Sequence, residues 1–322
     1  GSNKEGGAFD PIAESDPDVA LAASLAVQTR QVTAVLKQVP NQPVRFAFEI
    51  PHDPSMYPGE LRSEDAIIAF GWHQFLFNDT GKPVGHEDDL DAGWLLRLPM
   101  TKAVSRAMDV VQSFAPTRGV RPDAVPSRFV VGGESKRGWT TWTVGIVDPR
   151  VAAIVPVVMD LLNVQRGSDL HWRSLGGWTF AFNDYLQAGV VGSITRSPRY
   201  AALCAVNDPF EYFMPHSPWP ARTFDRLPKL IVNAGNDEFF LPEDNHVWWS
   251  LLPGEKHLMH IPNADHAFKF LPVGIGSAVV VDALSRFFGN VVQGRPRPTF
   301  EWVFDDSPDG LASELTVGNF TA

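Results

Sequence analysis

Apolar residues return along this chain in two rhythms, and each predicts a different kind of element. From Thr101 to Phe114, Val104, Met108 and Val111 recur at helical spacing with Ala115 next, while Lys102, Arg106, Asp109 and Gln112 lie off that face. This is an amphipathic helix that Pro116 stops. Asp18–Thr29, dominated by Ala and Leu, predicts a second helix, and Ala66–Phe77 a third that is apolar almost all round and so buried. Ser277–Phe288 sets Val280, Ala283, Leu284 and Phe287 on one side, with Gly289 as its terminator. The other rhythm is the short unbroken run. Phe129–Val131, Val151–Met159, Pro228–Ala234 and Lys256–Ile261 read as strands, the continuous ones of the kind covered on both faces of a parallel sheet. Val32–Val39 and Arg45–Ile50 predict two further strands, and Pro242–Leu252 a helix before the last strand.

Helix and strand alternate over the middle of the chain, which argues for βαβ units and an α/β class with a mostly parallel sheet. Asn163–Arg226 breaks the alternation with many prolines and with Trp172, Trp178, Phe182 and Tyr185 among its aromatics. An insertion of this size between two strands commonly forms a cap over the active-site edge. Its aromatics then either shape a substrate pocket or only seal a helical subdomain. After Gly294-Arg295-Pro296-Arg297-Pro298, a linker, Thr299–Phe304 and Ala312–Val317 predict a β-hairpin around Asp305–Gly310. The organisation expected is a main domain over 1–290, with the cap at about 163–226, and a C-terminal β segment over 291–322.

Composition narrows the partners. With 44% hydrophobic and 20% charged residues among 322, this is an ordinary globular composition. A net charge of −10 disfavours nucleic acid and anionic membrane surfaces. No apolar run is long enough to span a bilayer, and the start, GSNKEGG, is not a signal peptide. The lone Cys204 excludes an intrachain disulfide. No cofactor is called for and no metal site is expected, since His86-Glu87-Asp88-Asp89 reads as a solvated acidic loop rather than a cation site. Asn78-Asp79-Thr80 and Asn319-Phe320-Thr321 fit the glycosylation tripeptide, which arises often by chance.

The chemistry gathers at strand ends. Ser127–Asp148 reads strand, tight turn, helix, with Ser135 at the turn: a nucleophile elbow, in which the usual G-x-S-x-G becomes Gly133-Glu134-Ser135-Lys136-Arg137 and Gly138 comes one place late. The plainer reading of Ser135 is a helix-capping turn serine. Asp237 and His266 follow two later strands, and the chain order serine, acid, histidine is the one this fold uses. His266 would act as base, Asp237 would fix its tautomer, and the Lys136 backbone N–H would donate to an oxyanion. Glu238 and Asp265 are alternative acids, and Asp160 is a further one or a substrate contact. Trp139, Trp178 and Glu134 complete the expected substrate-binding set. A small-molecule or peptide substrate fits such a site. A peptide's free ammonium would need an acidic anchor, for which Glu134, Asp160 and Glu211 are available.

Several segments resemble the PhoPQ-activated pathogenicity-related protein family: Trp94–Asp109, Gly132–Val151 with its SKRGWTTW, Gly176–Tyr185, Asn233–His246 and Leu252–Phe268, together with VPNQP at Val39–Pro43 and RSEDAIIAF at Arg62–Phe70. The resemblance implies an α/β-hydrolase-like domain, exported to the periplasm or secreted, with Ser135, Asp237 and His266 as its triad. Glu134 stands where the family tends to have alanine, and there it would bind a substrate ammonium or repel an oxyanion. Gly1-Ser2-Asn3 looks like the tail of a glycine-rich oxyanion loop, so the N-terminal strands are expected to be missing or the sheet smaller, and the C-terminal hairpin to begin a longer β-module. Two functions stay open: a serine hydrolase cleaving an ester or peptide bond, or a secreted signalling or binding protein on that scaffold.

Overall fold

In the computed structural model, which describes residues 16–46, 61–77, 91–217, 222–268, 275–304 and 313–318, the four unbroken apolar runs lie side by side. Helices α1 (Pro17–Thr29), α2 (Asp65–Phe77) and α3 (Arg97–Phe114) precede β1 (Phe129–Glu134), α4 (Lys136–Val147) and β2 (Val151–Val157). Four helices follow, α5 (Val164–Leu175), α6 (Asn183–Gln187), α7 (Pro198–Asn207) and α8 (Arg222–Arg226), before β3 (Lys229–Ala234) and β4 (Lys256–Ile261). The strands pair in sequence order, β1-β2-β3-β4, and every pairing is parallel.

Alternate strand residues serve opposite faces. On one face Ile154 and Ile231 meet Trp139 and Trp142 of α4, Trp72 and Phe75 of α2, and Tyr185 and Tyr200 from the insertion between β2 and β3. On the other, Ala153, Val155, Leu230 and Val232 meet Leu25 of α1 and Leu284 and Phe287 of α9 (Ile275–Val292). Helices thus cover both faces, and each fully buried large side chain contributes about 1.5–3 kcal/mol.

Two residues of β3, Lys229 and Asn233, depart from this apolar rule. Lys229 is wholly buried, and its Nζ donates to the carbonyls of Phe224, Leu227 and Pro253 at 2.7, 2.8 and 2.8 Å. Burial pulls its pKa down to about 7, while the three carbonyls together match all three hydrogens of an ammonium.

Four expected elements differ. Among the described residues Val32–Val39 pairs with no strand, and Val32 and Leu36 are 52% and 38% exposed. Side chains fasten it to α1 instead, Thr33 Oγ1 to the Ala22 carbonyl at 2.9 Å and Lys37 Nζ to Asp16 at 2.6 Å. Near Arg45–Ile50 only an isolated bridge from Val44 to Arg62 forms, and 47–50 lie outside the described residues. Pro242–Leu252 gives a 3-10 turn over Pro242–Val247 and then irregular turns. There Asp244 accepts from the Leu241 N–H at 2.9 Å and Asn245 donates to the Pro242 carbonyl at 2.6 Å, side-chain bonds that compete with a helical ladder. Gly289 sits inside α9, and Gly294, at φ 63°, ends the segment. Arg295 N–H reaches back to the Asn290 carbonyl at 2.9 Å and Gly294 N–H to Val291 at 3.2 Å, the paired bonds of a left-handed C-terminal cap.

The hairpin forms as expected, β5 (Thr299–Phe304) antiparallel to β6 (Ser313–Gly318). Arg297 before it forks onto Glu255, with Nη2 2.7 Å from Oε2, and so ties the linker to the foot of β4. The His86 loop, both glycosylation tripeptides and the first fifteen residues lie outside the described residues.

Candidate active site

Ser135 stands between β1 and α4 at φ 54° and ψ −127°, a backbone region that disfavours any side chain. Its N–H bonds the Val157 carbonyl at 2.9 Å and its carbonyl accepts from Trp139 N–H at 3.0 Å, so both sides of the turn are held. Although it is the N-cap residue of α4, its hydroxyl makes no capping bond.

The glycines explain the irregular elbow. A Cβ on Gly138 would lie 2.7 Å from Met159 Cβ and 3.0 Å from the carbonyl oxygens of Gly133 and Val157. Gly138 therefore provides the close approach of helix to sheet, one place later than the usual spacing. A Cβ on Gly133 would lie 2.7 Å from the Arg137 carbonyl and 2.9 Å from Arg137 Cβ, which is why an arginine fits where glycine was expected.

The free hydroxyl meets an imidazole. His266 Nε2 is 2.8 Å from Ser135 Oγ, and His266 Nδ1 is 2.9 and 3.0 Å from the two oxygens of Asp237. Asp237, itself buried, also accepts from the backbone N–H groups of Phe239 and Phe240 at 2.8 and 3.1 Å. These bonds fix the carboxylate, and a carboxylate at Nδ1 sets the ring so that Nδ1 carries the hydrogen and Nε2 faces the serine. Burial alone would lower the His266 pKa, but the hydrogen bond and charge of Asp237 outweigh it and the value is raised. Of the alternative acids, Glu238 accepts from the His266 backbone N–H at 3.1 Å instead of its ring.

Lys136 is fixed from three sides. Arg97, buried on α3, donates to its carbonyl and, at 2.9 Å, to Thr140 Oγ1, and lies 4.2 Å from the centre of the Trp139 ring. The Lys136 ammonium pairs with Glu64 and, at 3.1 Å, with Asp65. Arg137 Nε donates to the Val39 carbonyl at 2.7 Å and its Nη1 lies 3.5 Å from Glu64. Burial pushes the Glu64 carboxyl up, yet Lys136, Gln42 and Arg137 hold it below its ordinary value.

Behind Ser135 lies a cavity of about 40 Å³ walled by Trp72, Trp139, Phe182, Tyr185, Tyr200 and Phe239 among others, with Lys136 at its edge. Trp139, one of the expected substrate-binding residues, lies in that wall. Trp178 is not among the lining residues: it stacks on His171 at 5.4 Å and sits behind Phe182 at 5.0 Å. Glu134 is exposed at the end of β1, Glu211 pairs with His216 at 2.7 Å, and Asp160 is buried beneath the site. Among the described residues no group of three or more His, Cys, Asp or Glu could hold a metal, and no helix is long and apolar enough to cross a membrane.

This arrangement can be set beside known proteins. The family model described as PhoPQ-activated pathogenicity-related protein matches residues 5–320. The chain belongs to that family. Within the PhoPQ-related family's reach, autocrine proliferation repressor protein A of Dictyostelium discoideum is 37% identical over 287 residues, 88% of this chain and 50% of the relative, so the chain spans about half that relative's length. Among solved structures, a puromycin-hydrolyzing peptidase of Mycobacterium tuberculosis gives a TM-score of 0.41 at 18% identity over 63% of this chain and 26% of that one. Acetyl xylan esterase 1 of Thermoanaerobacterium sp. JW/SL YS485 gives 0.42 at 15%, over 73% and 62%. Likenesses this remote assign no chemistry. The parallel sheet clothed by helices on both faces, with its strand-turn-helix elbow, is an α/β-hydrolase-like fold.

Sequence reasoning passed over Arg97, Glu64 and Asp65. Arg97 continues the stripe of Thr101, Val104 and Met108 one turn towards the N-terminus, and a charge on a buried stripe was the available signal. Glu64-Asp65 and Lys136-Arg137 are opposite charge doublets near the starts of two buried helices, and their pairing could have been read from that symmetry.

Proposed function

We propose that the protein is a serine hydrolase that cleaves an ester through an acyl-enzyme on Ser135. The observation that carries this reading is the unbroken chain Ser135 Oγ to His266 Nε2 to Asp237, with separations of 2.8 and 2.9 Å. His266 takes the hydroxyl proton as Oγ attacks the carbonyl carbon and returns it to the leaving oxygen, while Asp237 stabilises the imidazolium. The Lys136 N–H at the start of α4, aided by the helix dipole, supports the oxyanion; one such donor contributes about 3 kcal/mol to the barrier. The wall residues support a short apolar acyl group, since about 40 Å³ is only a few times the ~10–15 Å³ that one water needs. Of the expected anchors for a peptide's free amino terminus, Glu211 is paired and Asp160 is buried, which leaves Glu134, exposed beside Ser135; an ester is favoured because it needs no such anchor.

The test is covalent labelling. A fluorophosphonate should modify Ser135 and leave Ser135→Ala unmodified, and a folded sample in which Ser135 stays unlabelled refutes the reading. Among 4-nitrophenyl esters, acetate should exceed octanoate in kcat/KM by about tenfold or more, ~1.4 kcal/mol.

The name of the 37%-identical relative favours a second reading, a signalling or binding protein on a hydrolase scaffold. Retention of full biological activity by Ser135→Ala would select it.

A further inference from the structure

Beneath the site, six buried polar side-chain atoms have no direct hydrogen-bond partner: both oxygens of Asp160, both polar atoms of Asn233, Asp244 Oδ1 and Trp248 Nε1. They come from adjoining places. Asp160 follows β2, Asn233 is the penultimate residue of the neighbouring β3, and Asp244 and Trp248 belong to the turn after the one that carries Asp237. Asp160 is 2% exposed and faces Asn233, Trp248, Asp244 and Asp237, with no cation among them. An ionised carboxylate buried without a cation or hydrogen-bond donors enough to satisfy it is among the most unfavourable arrangements a protein can hold. Asn233 and Trp248 supply three donor hydrogens between them, while the acceptors are Asn233 Oδ1, Asp244 Oδ1 and the two oxygens of Asp160. A proton on Asp160 adds the fourth donor.

We propose that Asp160 is carried in the folded protein as a neutral carboxylic acid, joined to Asn233, Asp244 and Trp248 in one buried polar network, and that it is a positioning residue for the Asp237 turn. That turn runs between the members of the network. Gly235 and Asn236 N–H also bond the Ile261 and Ala264 carbonyls at 2.8 Å each, on the segment leading to His266, so whatever fixes the turn fixes the acid against its histidine. Neutrality matters as much as position. A second negative charge beside Asp237 would bind the His266 proton more tightly and withdraw the base from neutral pH. Burial first, then the neighbouring Asp244 and Asp237 carboxyls, keep the Asp160 carboxyl well above its ordinary range against the lowering effect of Asn233 and Trp248; burial pushes the Asp244 carboxyl up as well, to about 8.

The consequence for His266 rests on the hydrolase reading, whereas the protonation of Asp160 does not, and two measurements separate them. The first is the urea midpoint of wild type and Asp160→Asn from pH 4 to pH 8. A carboxyl that stays protonated only when folded makes wild-type stability fall with rising pH relative to a variant with nothing to ionise there. The midpoint of Asp160→Asn should therefore climb relative to wild type as pH rises. A difference that is flat or falls with pH overturns the proposal. The second is the pH profile of Ser135 labelling. Asp160→Asn should keep the acidic limb of the wild type within about 0.3 pH unit, and Asp160→Ala, which opens the network, should slow labelling by about tenfold or more. An acidic limb that moves down in Asp160→Asn would show a charge at 160 and refute neutrality. If neither protein labels while the midpoints behave as expected, the hydrolase reading fails and the neutral acid stands.

Discussion

Gly138 is where the elbow can be tested by a single methyl group. In Gly138→Ala the added carbon would lie 2.7 Å from Met159 Cβ and 3.0 Å from two backbone carbonyl oxygens. Carbon atoms pack at about 3.5–4.0 Å, so α4 has to retreat from β2 by close to 1 Å. Overpacking of this kind costs about 1–3 kcal/mol, against which alanine returns about 1 kcal/mol of helix propensity. Gly167→Ala is the control. It too lies within a helix, α5, but nothing stands within 4 Å of the added carbon, so only the propensity gain of roughly 0.5–1 kcal/mol should show. Urea unfolding should therefore rank Gly167→Ala above wild type and Gly138→Ala below it. Because Ser135 rides at the start of α4, the same retreat should slow fluorophosphonate labelling by about 100-fold, the effect of a 1 Å misplacement on reacting groups. If Gly138→Ala proves as stable as Gly167→Ala and labels at the wild-type rate, the assignment of the late glycine to the helix–sheet contact is wrong.

Three other outcomes follow from the structure. Labelling of Ser135 requires a neutral His266, whose pKa is raised, so the rate should fall on acidification with a midpoint above the ordinary 6.5; Asp237→Asn should lower the rate by about 10⁴ without unfolding the protein, as circular dichroism would report. Lys229→Met should destabilise by roughly 3 kcal/mol or more in urea titration, because three buried carbonyls lose their donor together.

Burial made several parts of the fold legible in the sequence. β3 was readable because it is covered on both sides, and α2 because an apolar surface all round has nowhere else to go. Elements set by side-chain competition were not. Pro242–Val247 carries a helical pattern, but Asp244 and Asn245 redirect the backbone, and Val32–Val39 has a strand's composition without, among the described residues, a neighbouring strand to complete it. The three residues of the hydrogen-bonded chain were legible by type, order and strand end. The Arg97, Glu64 and Lys136 lattice around them was not, since its members are far apart in sequence and meet only through packing. Asp160 was singled out for its place after a strand, but its burial, which changes its meaning, is a three-dimensional fact.

The backbone angle at Ser135 carries a last consequence. A residue with a side chain at φ 54° and ψ −127° holds about 1–3 kcal/mol of conformational strain that glycine would release. Glycine there would release that strain, but it would give up the hydroxyl's bond to His266 and add freedom to the unfolded chain. The turn thus holds a side chain where its backbone disfavours one, and comparing Ser135→Gly with Ser135→Ala in urea would weigh that strain directly.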